Sequence, residues 1–273
     1  MISEAWPTAS VNWMKYRWLY LVISGTVIFC GIFSLYKWRL KLGVDFTGGT
    51  LIEYKFSDGK KQVFKYSPTD EKDLEKIRLD FKNQKTEEVR FENVGPSIGP
   101  ELIKKTITAI IISAGGILLW ITLRFKSFKF GLSAVLGMFH DSLVLVGSFS
   151  LLGHFMGVEV DFLFVTALLT TLSFSVHDTI VNYDRIREIK KKYGGELYDI
   201  ANEATSETMV RSLNNSFTII FMLLALILLG GETIKWFAVA LLIGTISGTY
   251  SSPFVSVAIL VTWDKLEKKL RKI

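Results

Sequence analysis

VDFLFVTALLTTLSFSVHDTIVNYDRIRE, residues 160–188, is the stretch whose reading decides the fold. Residues 162–181 are long enough to cross a bilayer, since about 20 largely apolar residues suffice. An acid, Asp178, sits near the end of that run with His177 beside it. Thr171, Ser175, Asp178, Asn182 and Arg185 fall at i, i+4, i+7, i+11 and i+14, one face of an α-helix. An ionisable group inside a span costs about 2.5–3.5 kcal/mol on insertion scales and usually faces a bundle interior or a water path. One wet, protonatable stripe on an otherwise apolar helix predicts a transporter helix.

On either side of this stretch, long apolar runs alternate with dense charged blocks. With 49% hydrophobic residues among 273, that pattern predicts a polytopic α-helical membrane protein. Six spans can be drawn, at 18–36, 106–124, 129–151, 161–183, 211–230 and 235–263. The last is long for one crossing, and either tilt or a bend at Gly244, Gly248 and Pro253 would accommodate it. The first run is too long for a cleavable signal and lacks a small-residue cleavage site, so it is expected to remain as an anchor. The single cysteine, Cys30, allows no internal disulfide.

A net charge of +6 could suggest a nucleic-acid partner, but the basic residues are placed as a topology signal instead. Lys and Arg crowd residues 1–17, the connection around Arg124, Lys126 and Lys129, the loop 184–210 and the tail 264–273. Residues 153–161 carry none. By the positive-inside rule both termini are cytoplasmic and residues 37–105 lie outside. The run 190–192 is most simply part of this signal, with some affinity for anionic lipid.

Residues 37–105 are too long for a structureless loop. A strand region is expected at 44–56, interrupted by Thr47-Gly48-Gly49-Thr50, and a second strand at 61–66. Residues 67–71, with Pro68 early and acids in the first turn, predict the start of a helix running to about residue 83. Residues 88–93 alternate like a strand with Val89 and Phe91 on one face, and 95–97 lead into a helix continuous with the second span. This is a small α+β extracytoplasmic domain between the first two spans. Small residues in the spans, Gly115, Gly116, Ala134, Gly137, Gly244 and Gly248, are expected to let helices approach closely.

Several motifs occur in order: GVDFTGGT at 43–50, VGPSIG at 94–99, His140-Asp141, VHDTIV at 176–181 running into DRIRE at 184–188, RSLNNS at 211–216 and GTYSS at 248–252. Together they resemble the signatures of the bacterial SecD/SecF export family, over nearly the whole chain. The short external segment and the His-Asp-Thr of the fourth span are similar to the SecF side of that family. The resemblance implies a subunit that pairs with SecD, each giving six spans of an RND-like twelve-helix unit in the inner membrane. It also implies assistance to SecYEG, with SecA acting indirectly and YajC as companion, while proton flow moves the external domains against a translocating preprotein. No enzymatic activity, cofactor or metal is expected, and no nucleotide motif is present. A small-molecule exporter half of the RND class and a passive scaffold are the competing readings.

The candidate proton-coupling residues are Asp178, Arg211 and Asp141, with His177, Asn182, Asn214 and Asn215 as polar support. Asp178 either exchanges a proton as its surroundings alternate between wet and dry, or is a structural group near a helix end. The fourth and fifth spans run antiparallel, so Arg211 reaches a similar depth and is either its partner or an interfacial anchor. Asp141, midway through the third span, is a second proton site or a hydrogen-bond anchor between helices. His177 either relays protons or packs. Asp45, Gly48 and Gly49 form a glycine-bearing turn expected to couple the first span to the external domain; it lacks the Gly-Lys-Ser/Thr ending of a phosphate loop.

Overall fold

The computed structural model describes residues 11–56, 61–66, 75–76, 78–79, 81, 86–95 and 98–271. Among the described residues, six helical segments are long and apolar enough to cross a membrane. They are formed by α1 (Arg17–Trp38), α3 (Ile98–Phe125), α4 (Phe128–Met156), α5 (Phe162–Tyr193), α6 (Leu197–Leu229) and the pair α7 (Glu232–Ser251) and α8 (Val257–Leu270). A one-turn helix, α2 (Val44–Thr47), and three strands, β1 (Gly49–Lys55), β2 (Lys61–Tyr66) and β3 (Glu87–Val94), lie between α1 and α3. The protein is a six-span helical membrane protein with a small strand-containing unit between its first two spans.

The helices divide by how much of them is buried. α1 and α3 present bulky apolar side chains outward, with Val22, Phe29, Ile111 and Trp120 exposed. α4, α5 and the α7–α8 pair have about half of their span windows buried. At 1.5 Å per residue, the 32 residues of α5 extend about 48 Å, well beyond a hydrocarbon core of about 30 Å. α5 and α6 therefore continue past the membrane as a helical hairpin turning at Gly194 and Gly195, both of which have positive φ. Its packed interior includes Ile186, Ile189, Leu197, Ile200 and Ala204. A 3₁₀ turn at Trp13–Tyr16 docks there, where the Met14 amide donates to Asn202 Oδ1 at 2.8 Å and Trp13 Nε1 to Ser206 Oγ at 2.9 Å.

The sixth span is broken. A π-helical segment, Ser252–Ser256, with Pro253 at its start, separates α7 from α8. Proline lacks an amide to donate and its ring clashes with the preceding turn, so the ladder reforms with wider spacing. Gly244 and Gly248 lie within regular helix: one packs on Thr171 and the other on Ser175. Gly137 lies against Ser256, whereas Gly115 and Gly116 face open space. One close crossing involves a pair that hydropathy does not mark. A Cβ on Gly147 would sit 2.6 Å from the Cα of Gly31, so α1 and α4 meet backbone to backbone. Beside that crossing Ser34 donates to Ser150 at 2.8 Å, and Ser150 donates to the Arg39 carbonyl at 2.8 Å.

The second compact unit comprises residues 41–110 together with 159–162. Its sheet has the order β2-β1-β3, antiparallel throughout, so β1 is central and almost wholly buried. The register of β1 on β3 shifts between Glu53 and Tyr54, which leaves Val89 without an opposite residue, a β-bulge. Residues 75, 76, 78, 79 and 81 are helical, and Phe81 stacks on Tyr54 with centroids 4.2 Å apart. The expected helix start at 67–71 lies outside the described residues. One expectation is corrected: residues 44–47 form a helical turn rather than strand. Gly48 at φ 72° and Gly49 at φ 125° then turn the chain into β1, a conformation that L side chains rarely adopt.

Candidate functional site

Thr171, Ser175, Asp178 and Asn182 are all buried, whereas Arg185 lies half-exposed at the outer end of the same stripe. Asp178 is 9% exposed, and its Oδ2 accepts a hydrogen bond from Ser212 Oγ of α6 at 2.5 Å. A small cleft beside it is lined by Asp178, Asn182, Thr208, Met209, Ser212 and Pro253. Asn182 Oδ1 is buried with no hydrogen-bond partner among the described residues. A buried acid and an unsatisfied amide oxygen thus border the same small cleft.

Arg211 forms no ion pair with Asp178; it is exposed, and the serine one residue further along α6 meets the carboxylate instead. Successive residues on a helix are rotated by about 100°, which turns Ser212 inward and Arg211 out. His177, Asn214 and Asn215 are also exposed. Arg185 pairs with Glu188 at 2.7 Å and with Glu207 across the α5–α6 hairpin.

Asp141 is the more enclosed acid, at 1% exposed. Its Oδ1 accepts from Ser247 Oγ at 2.6 Å and lies 3.0 Å from Nδ1 of His140. Its Oδ2 accepts from Ser251 Oγ at 2.6 Å and Ser175 Oγ at 2.5 Å. The carboxylate thus ties α4 to α5 and α7. The hydroxyl seam continues through the π segment. Ser252 Oγ donates to the Ser175 carbonyl at 3.0 Å, Thr179 donates to Ser252 at 3.1 Å, and the Tyr183 hydroxyl donates to the Ser256 carbonyl at 3.3 Å.

The glycine-bearing turn makes a third constellation. Asp45 Oδ2 accepts the backbone N–H of Phe162, the first residue of α5, at 2.8 Å. Beside it the Gly43 amide donates to the Val160 carbonyl and the Val160 amide to the Lys41 carbonyl, each at 2.8 Å. The second glycine signature packs on the first: a Cβ on Gly99 would collide with the Phe46 backbone.

Residues 74–266 match the family of SecD/SecF protein export membrane proteins in its C-terminal region, and residues 39–60 match the SecD/SecF GG motif. The chain belongs to the SecD/SecF family. The protein translocase subunit SecF of Thermobaculum terrenum is 38% identical over 93% of this chain and 94% of its own length. That of Anaerolinea thermophila is 32% identical over 94% of this chain and 95% of its own. The crystal structure of Thermus thermophilus SecDF, a translocon-associated membrane protein, superposes with TM-score 0.83 at 28% identity over 95% of this chain. This chain spans 40% of that SecDF chain.

Within this SecD/SecF chain, Ser212, Ser251 and Ser252 are polar partners that fall inside the quoted motifs without a role assigned to them, and Ser247 is one that sequence reasoning does not single out. A signal existed: serines at 247, 251, 252 and 256 repeat at helical spacing through the sixth span. Glu203 is also missed; it is buried on α6 with Oε2 unpartnered among the described residues. Nothing local marks it, because its charged surroundings read as a solvated loop.

Proposed function

We propose that this SecD/SecF-family chain is the SecF-type half of a proton-driven accessory to protein export. It pairs with a SecD-type partner in the bacterial inner membrane and assists preprotein translocation through SecYEG, with SecA acting indirectly and YajC as companion. Both termini are cytoplasmic and the sheet-bearing unit lies outside, as the Lys and Arg distribution favours. A membrane gradient supplies about 2.3 kcal/mol per charge per 100 mV.

The observation that carries this reading is the burial of Asp178 against Ser212 beside a small cleft that also borders the unpartnered Asn182 Oδ1. Such a carboxyl is neutral when dry and charged when water or a cation reaches it, so conformation and protonation depend on each other. Asp141, saturated by its donors, acts as the anchor between helices, while Asp178 carries the proton. Relatives in which SecD and SecF form one SecDF chain support the partner. So do the exposed polar side chains Thr170, Ser173 and His177 of α5 and Arg211, Asn214 and Asn215 of α6, which a second helical half would cover.

The test uses the chain with its SecD partner in proteoliposomes holding SecYEG and SecA. Asp178→Asn is expected to remove gradient-stimulated translocation and proton flow while SecD binding persists. Unchanged translocation and proton flow in a folded, SecD-bound Asp178→Asn protein would leave only the scaffold reading.

A further inference from the structure

The sequence suggests that the GG-motif turn couples the sheet-bearing unit to the first span, which it follows directly in the chain. Its polar contact is elsewhere. Asp45 reaches across 117 residues to the start of α5, the helix that carries Thr171, Ser175 and Asp178. The first amides of an α-helix have no acceptor within the helix, and a carboxylate there is favoured by hydrogen bonding and by the helix dipole. Asp161 precedes the helix in the chain, but Asp45 belongs to a different element, α2, which is separated from β1 by Gly48 alone.

Two independent contacts fix the same junction. Leu42 and Val160 form a parallel bridge, with hydrogen bonds on both sides of Val160. Glu159 pairs with Lys41 at 3.7 Å and with Lys65 of the edge strand β2. The start of α5 is therefore held by the turn and by the sheet. α5 then continues without a break for 32 residues, and a continuous helix transmits axial displacement.

We propose that Asp45 is a positioning residue that fastens the start of α5 to the GG-motif turn, so that displacement of the sheet reaches the Asp178 helix. The helix, rather than the preceding span, is the element this motif drives. The inference rests on the proton-coupling role of Asp178 for its consequence, and on geometry alone for the contact itself.

Two measurements test it on the full chain with its SecD partner. Hydrogen exchange at Phe162 and the next turn is expected to speed up about fivefold or more in Asp45→Ala and to stay near wild type in Asp45→Asn, since asparagine caps helices as well as aspartate. In proteoliposomes, Asp45→Ala should lose gradient-stimulated export while retaining proton flow within about twofold, and Asp45→Asn should retain both. Wild-type exchange or full export in Asp45→Ala overturns the proposal, as does an Asp45→Asn protein that behaves like Asp45→Ala, or loss of proton flow together with export. If Asp178→Asn leaves export intact while Asp45→Ala exposes the helix start, the motor reading has failed and the fastening stands.

Discussion

Ser212 Oγ donates to Asp178 Oδ2 at 2.5 Å, so the acid of the fourth span is held by a neutral hydroxyl from the fifth. An ion pair would keep the carboxylate permanently charged, whereas a hydroxyl can donate to the ionised acid or accept from the protonated one. Under the proposed coupling, the same hydroxyl serves the acid in either protonation state.

This relationship predicts unequal effects of two substitutions at Ser212 of α6. Ser212→Ala removes the hydroxyl that serves the buried carboxyl, a hydrogen bond worth roughly 0.5–3 kcal/mol across the two protonation states, and is expected to lower gradient-stimulated translocation several-fold or more. Ser212→Thr, which keeps the hydroxyl, should stay within a fewfold of wild type. Translocation assays on the two variants at matched SecD content check the contrast; equal activity in Ser212→Ala and wild type would show that the hydroxyl has no part in coupling.

At Asp141 the expected effect is on stability. Asp141→Leu leaves Ser175, Ser247 and Ser251 without their shared acceptor. A loss of roughly 2–5 kcal/mol is expected, read as a lower unfolding temperature in detergent. Asp141→Asn keeps two acceptor lone pairs and should lose less. Proton flow that survives in folded Asp141→Asn supports the anchor role; its disappearance would make Asp141 a second carrier.

The α1–α4 crossing offers a packing test. A methyl group on Gly147 would fall 2.6 Å from the Gly31 Cα, where no flexible side chain can yield. Gly147→Ala should cost about 1–3 kcal/mol by forcing the helices apart. Gly115→Ala, with nothing within 4 Å, should be close to neutral. Thermal unfolding of the pair in the same detergent separates backbone contact from a general aversion to methyl groups.

Gly49 provides a test in the sheet-bearing unit. Its φ of 125° is outside the range of L side chains, and it pairs with Val94 at the first position of β1. Gly49→Ala should destabilise the unit by about 1–3 kcal/mol and speed its cleavage in limited proteolysis. Protease resistance equal to wild type would mean that the turn adapts to a side chain.

Much of the architecture is legible in the chain because its cause is local. Hydropathy over about 20 residues marks a span whatever surrounds it, and a helical repeat of polar residues marks a face. Six spans, the buried stripe of α5 and the second and third strands follow from such patterns. Where local reading went astray, at 44–47, a strand-like composition gave way to a helical turn that presents Asp45 to another element.

The sequence alone determined that an acid lies within the fourth span on a polar face, and that two glycine signatures flank the strand-bearing unit. Only the tertiary structure decided what each meets: Ser212 rather than Arg211 at Asp178, three serines at Asp141, and the Phe162 amide at Asp45. The physical reason is rotation. One residue along a helix turns a side chain by about 100°, so depth in the membrane can be read from position, but the facing partner depends on how packed helices are rotated against each other.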